Sequence, residues 1–315
     1  MNRSSRFLTP IIAVLFLATT TFAGNLTVNG NPTTVPVDVL QLLQKQAASP
    51  PWNKDAPEKR QRILHQCAAL QQLLTTGATD AVLSNALAAS TMRASIFMTF
   101  GNSLYTAGDR HHAEMFFNTV VCNRPTHATA KELARCHLWL GKLYQEDGLA
   151  AKYQQGNAAE ASTLFQNAAD NYLAAKEASK DWVRSSGWLG AAQCYRELGQ
   201  HPMCRLCLSS LLEELGSHAF PLAGADVALG LARRDIATHM LATSFYEDHR
   251  YAEAAQVWQQ LRTRITAQVG ANSPEYPGQA TYLGLATTGL NQCAARQADP
   301  KTTNPSSSTE VRRIP

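Results

Sequence analysis

Residues 97–125, "FMTFGNSLYTAGDRHHAEMFFNTVVCNRP", decide how the rest of the chain is read. Gly101 lies in an apolar stretch that breaks at "TAGD", and Ala113, twelve residues after it, opens a second apolar stretch. Phe116, Phe117 and Val120 stand three, four and seven residues beyond Ala113, the spacing of a helix that buries one face. Two antiparallel helices cross closely only where neither side chain is bulky. Gly101 and Ala113 are therefore expected to face each other across a helical hairpin, with Leu104 covering the crossing.

The arrangement recurs three times. Gly141, Ala192 and Ala242 take the place of Gly101, and Ala161, Cys204 and Ala254 that of Ala113. The separation is twelve residues in the last two segments and twenty in the second, which reads as an eight-residue insertion around "LAAKYQQG" between its helices. The flanking stripe repeats as Leu164, Phe165 and Ala168, as Cys207, Leu208 and Leu211, and as Val257, Trp258 and Leu261; Tyr144, Tyr195 and Phe245 stand where Leu104 does. One hairpin cannot bury this much apolar surface alone, so neighbouring hairpins must stack.

These segments resemble the tetratricopeptide (TPR) family, whose helix-pair repeat carries W-x2-L-G-x2-Y…A-x3-F…P. The clearest matches are Phe97-x2-Phe100-Gly101-x2-Leu104…Ala113-x3-Phe117…Pro125 and Trp188-x2-Ala191-Ala192-x2-Tyr195…Cys204-x3-Leu208. Leu140-Gly141-x2-Tyr144…Ala161-x3-Phe165 and Leu241-Ala242-x2-Phe245…Ala254-x3-Trp258 are more divergent, with His137 and Thr238 in place of the tryptophan. The repeats follow one another at 40, 51 and 50 residues, against about 34 in the family. The likeness covers about residues 94–290 and implies an all-α fold of stacked antiparallel helix-hairpin repeats, a TPR-like α-solenoid. It further implies a protein or peptide partner held on a concave wall lined by the first helices. The first-helix residues directed away from the close crossing are Met98, Asn102 and Tyr105, then Leu138, Lys142 and Gln145, then Leu189, Gln193 and Arg196, and last His239, Thr243 and Tyr246.

Outward from the repeats, residues 57–296 read as helix throughout: Ala, Leu and Gln abound and the breaks are short. Asp55 with Glu58, and Asn157 with Glu160, have capping-box spacing. Asp109 and Asp181 are expected N-caps, and Pro202 suits a first helical position. Residues 24–56 are expected to form an extension with a small hairpin at Asn29-Gly30 and a short helix around Val37–Ala47, while the polar residues 297–315 read as a disordered tail. Residues 1–23 begin with Arg3 and Arg6, continue through an apolar run to about Ala18 and end on small residues. This is the order of a secretory signal, and the run is short for a membrane span. The protein is accordingly expected to be exported, to the periplasm or the medium.

Without the two signal arginines, 26 basic residues stand against 24 acidic ones. That balance makes no electrostatic case for nucleic acid or an anionic membrane. The sequence has no Gly-rich phosphate loop, no G-x-S-x-G elbow and no carboxylate pair set apart from ordinary surface charge, so nothing marks it as an enzyme and no residue is assigned to a cofactor or metal. Adjacent His111 and His112 are expected on different faces of a solvated helix.

Seven cysteines leave at least one thiol unpaired within the chain. Cys122 and Cys136 flank the Pro125 loop and are candidates for a disulfide. Cys204 and Cys207 form a C-x-x-C pair in positions that elsewhere hold Ala and apolar residues, so packing explains both. The alternative is a thiol-redox or metal-binding helical protein centred on this pair. In that reading Cys204 lies in the first turn of a helix, where the dipole lowers a thiol pKa, and His201 and Cys194 supply further zinc ligands.

Overall fold

The computed structural model describes residues 56–90, 92–123, 128–216, 225–270, 276 and 278–298. The expected signal segment, the Asn29-Gly30 hairpin, the helix around Val37–Ala47, Asp55, Pro125 and the tail beyond Ala298 lie outside them. The described residues form eleven helices and no strand: α1 Pro57–Thr75, α2 Asp80–Ala89, α3 Ala94–Thr106, α4 Arg110–Asn123, α5 Ala130–Tyr153, α6 Ala158–Glu177, α7 Trp182–Glu197, α8 His201–Gly216, α9 Ala225–Glu247, α10 Tyr251–Gly270 and α11 Gln279–Ala298. The chain divides into two compact units between Cys194 and Tyr195, inside α7. In the N-terminal unit α3 packs on α4, α4 on α5 and α5 on α6, with α3 also touching α5; in the C-terminal unit α8 packs on α9, α9 on α10, and α11 on both α9 and α10.

Local chemistry starts these helices. Asp109 Oδ1 accepts from the His112 amide at 3.2 Å and Asp181 Oδ1 from the Val183 amide at 3.0 Å, both as expected of N-caps. Asn157 Oδ1 accepts from the Glu160 amide at 3.2 Å, but the return bond runs from Asn157 Nδ2 to Glu160 Oε2 at 2.7 Å, leaving the capping box incomplete. A full box closes instead at Thr129, whose amide donates to Glu132 Oε2 at 2.9 Å while the Glu132 amide donates to Thr129 Oγ1 at 3.2 Å. α1 begins at Pro57 after Ala56, which supplies no side-chain cap. Pro202 is the second residue of α8, one place later than expected.

The hairpin turns repeat more faithfully than the sequence does. The amides of Asp109, Gln200 and Arg250 donate to the carbonyls of Leu104, Tyr195 and Phe245 at 2.9, 2.8 and 2.9 Å. This is the six-residue closure of a helix C-terminus, and it needs a left-handed residue in the turn. Gly108 (φ 87°), Gly199 (φ 71°) and His249 (φ 59°) supply it. Glycine adopts that conformation freely, whereas at His249 the Cβ costs about 1 kcal/mol. In every hairpin the first backbone bond of the second helix is donated by the small residue of the repeat. Ala113, Ala161, Cys204 and Ala254 bond the carbonyls of Asp109, Asn157, Gln200 and Arg250. All four are buried, so the second column of the repeat is one structural position.

The first column needs correction. A Cβ on Gly101 would lie 2.6 Å from the Phe117 ring, and one on Gly148 would lie 2.9 Å from the Phe165 ring. Phe117 and Phe165 are equivalent, each four residues after the small residue of its helix. Gly148 is therefore the counterpart of Gly101, and the close crossing seats an aromatic ring on a glycine instead of matching two small side chains. Gly141 lies against Tyr172, a ring it shares with Gly190 of α7, where an added Cβ would sit 2.5 Å away. Nor is there an inserted loop. α5 and α6 run 24 and 20 residues, against 13 and 14 in α3 and α4, and only residues 154–157 separate them. Lengthening both arms preserves antiparallel register and adds buried surface, which a longer turn would not.

The N-terminal core is built around aromatic rings. Phe97, Phe100, Phe116, Phe117, Leu140 and Leu143 are fully buried. Phe100 stacks on Phe116 at 4.9 Å and Phe117 on Trp139 at 5.9 Å between ring centroids. Such pairs add about 1 kcal/mol beyond their area. In the C-terminal unit Leu208, Leu211, Ala237, Ala242, Leu261 and Ile265 are buried beside Trp258, and α9 carries Asp235, Thr238, His239 and Ser244 into the interior.

Candidate functional site

The residues directed away from the close crossing fall into two groups. Met98, Gln145, Leu189 and His239 are buried, so they serve the interior and cannot meet a partner. Asn102, Tyr105, Leu138, Lys142, Gln193, Arg196, Thr243 and Tyr246 are partly exposed.

In the N-terminal unit these side chains join successive first helices. Tyr105 of α3 donates its hydroxyl to Glu146 Oε1 of α5 at 2.7 Å. Gln145 of α5 donates from Nε2 to Gln193 Oε1 of α7 at 2.8 Å and accepts on Oε1 from the buried Tyr172 hydroxyl at 2.7 Å. Lys142 holds its Nζ 4.7 Å from the Tyr105 ring centroid and 5.0 Å from that of Trp139. Burial lowers the Lys142 pKa below its ordinary value, against the pull of Glu146. The rings recover part of that desolvation through cation–π attraction. Arg110, first residue of α4, bonds the Leu143 carbonyl at 2.8 Å, pairs with Asp147 at 2.7 Å and contacts Glu146. Arg110, Trp139, Glu146, Asp147 and Tyr172 belong to this cluster without any motif in the sequence marking them. The signal for Glu146 was its place one helical turn after Lys142, on the same face.

In the C-terminal unit the first-helix residues are more occupied with the fold. Arg196 pairs with Glu247 at 3.4 Å and Glu197 at 3.7 Å, and its side chain is only 9% exposed. His239 accepts the Trp258 indole hydrogen on Nδ1 at 3.2 Å, and burial, reinforced by Arg196, lowers its pKa to about 4. It is neutral at physiological pH. Thr243 donates its hydroxyl back to the His239 carbonyl at 2.9 Å. Tyr246 packs against Tyr251 and Trp258 at 5.2 and 5.8 Å. Back in the N-terminal unit, Leu138 lies against the small cluster of Ala134, Ala175 and Val183.

The cysteines are where packing puts them. Cys204 and Cys207 are buried, and burial raises the Cys204 thiol to about 11. Burial opposes the helix-terminus effect on the Cys204 thiol, whose amide is bonded to the Gln200 carbonyl. Cys122 and Cys136 are both free thiols, the first exposed and the second buried with its pKa raised to about 12 by burial. Among the described residues, no cluster of metal-donor side chains includes Cys204 or Cys207.

This set of groups can donate and accept hydrogen bonds and present rings and a cation. No helix among the described residues is long and apolar enough to cross a membrane. Comparison with protein-family models, with curated proteins and with solved structures finds no match to this chain.

Proposed function

We propose that this protein is an exported, TPR-like scaffold that holds a protein or peptide partner against the exposed sides of its first helices. The observation that carries this reading is the hydrogen-bonded run from Tyr105 to Glu146 and from Gln145 to Gln193, which ties α3, α5 and α7 side by side. Successive first helices joined in this way expose Asn102, Lys142 and Gln193 along one tract, with Tyr105 and Trp139 between them. Amides bond an extended backbone, and rings supply contact area at modest entropic cost. Export rests on the order of residues 1–23, and the family reading on the four hairpins with equivalent second-helix starts.

The test is capture of envelope or medium proteins by the purified protein, compared with the triple variant Asn102→Ala, Lys142→Ala and Gln193→Ala. Loss of a partner by a variant with unchanged helical circular dichroism supports the tract. Undiminished capture by that variant overturns the assignment.

A further inference from the structure

We propose that Asp80, His111 and His112 bind a divalent transition-metal ion of the zinc class, with Asp109 holding His112 in the ligating form. The sequence places the two histidines on different faces of a helix, yet the first turn of α4 brings both rings to one carboxylate on another helix. His111 Nε2 lies 2.8 Å from Asp80 Oδ2, His112 Nε2 lies 4.0 Å from Asp80 Oδ1, and the ring centroids are 5.3 Å apart. One donor atom from each residue falls within 4.8 Å of the others. Both histidines and Asp80 are at the surface, where small side-chain rotations bring three such atoms to metal–ligand distances of about 2.0–2.2 Å.

The second carboxylate makes this more than a surface hydrogen bond. Asp109 Oδ2 lies 2.7 Å from His112 Nδ1. A carboxylate accepts, so this contact favours the tautomer with the hydrogen on Nδ1, in which Nε2, 4.0 Å from Asp80 Oδ1, keeps the lone pair a metal needs; at His111 the metal would take the place of the hydrogen shared with Asp80 Oδ2. Two acceptors facing each other across 4.0 Å are satisfied by a cation between them, and a carboxylate behind the distal nitrogen is how metal-bound imidazoles are oriented. Charge agrees. The N-terminus of α4 contributes about half a positive charge, which Asp80 and Asp109 together outweigh. Arg110, between Asp109 and His111 in sequence, is drawn away onto Glu146, Asp147 and the Leu143 carbonyl. Two imidazoles and one carboxylate suit zinc, and three protein ligands leave a position for water or for a group of a partner.

The test is calorimetric titration of zinc chloride into the purified full chain carrying Cys122→Ser, which removes the exposed thiol as a competing ligand. Binding of one equivalent is expected, at least ten-fold weaker in each of Asp80→Asn, His111→Ala and His112→Ala. Asp109→Asn should keep the stoichiometry and lose about ten-fold in affinity, as removal of an outer carboxylate does. Cobalt in place of zinc should show visible absorption that the same variants lose. The altered side chains are near the surface, and unchanged circular dichroism verifies folding. No zinc binding, binding indifferent to these substitutions, or loss in only one donor variant overturns the site.

Discussion

The α3–α4 hairpin and the α9–α10 hairpin are built on the same turn and filled differently. Between α3 and α4 the interior is Phe97, Phe100, Phe116 and Phe117, rings that ask only for contact. Between α9 and α10 it includes Asp235, which contacts Arg264, and His239, which takes a hydrogen from Trp258. Burial raises the Asp235 pKa despite Arg264, and lowers that of His239. One backbone plan thus tolerates either an aromatic filling or an ionisable one. The first gives stability indifferent to pH, the second stability that depends on it.

The largest effect is expected from the aromatic hairpin. Phe117→Ala removes a fully buried ring that covers Gly101 and stacks on Trp139. Denaturant titration of the N-terminal unit's transition should show a loss of about 4 kcal/mol. A loss below about 1 kcal/mol means that the ring does not carry that crossing.

The next expectation falls on the polar hairpin. The folded pKa of His239 is lowered to about 4, against about 6.5 unfolded, so between those values the unfolded chain binds the extra proton. Its contribution is full above pH 6.5 and is lost as pH falls towards 4, by about 3 kcal/mol in all. Asp235, with its pKa raised by burial, takes up its proton early in the folded state and pulls the opposite way. Comparing His239→Gln with the parent chain therefore isolates the histidine. Equal acid sensitivity of the two proteins defeats the assignment.

Gly148→Ala and Gly101→Ala sharpen the equivalence of the two aromatic-on-glycine crossings. An added Cβ meets a ring at 2.9 and 2.6 Å, and each substitution should cost about 2 kcal/mol in thermal or denaturant unfolding. Gly141→Ala cannot stand in for Gly148→Ala as a test, because it probes Tyr172. The smallest expected effect is a gain: His249→Gly relieves the left-handed histidine and should add about 1 kcal/mol, whereas Gly199→His should remove a similar amount.

How much of this was legible follows from the range over which each feature is decided. The Ala-x3-Phe stripe of the second helices was readable because its residues share one helix face within two turns. The counterpart of Gly101 was misread as Gly141 because the letters Leu-Gly matched there, while the true partner depends on how far α5 and α6 continue. Only the antiparallel register brings Gly148 to Phe165. The same limit applies to the candidate site. Lys142 and Tyr105 were visible on their own helices, but Glu146 and Arg110 enter through contacts 36 and 41 residues apart. Four of the twelve first-helix residues proved buried because neighbouring helices cover them, as Tyr172 covers Gln145.

The sequence alone determined that the described residues are helical, where most of their breaks fall, and which residue of each second helix is small, since these depend on neighbours within a few positions. Tertiary structure alone decided which glycine meets which ring, that the described residues divide inside α7, and that His111 and His112 meet Asp80. Those outcomes are set by helix length and by contacts between residues tens of positions apart, and no local pattern records them.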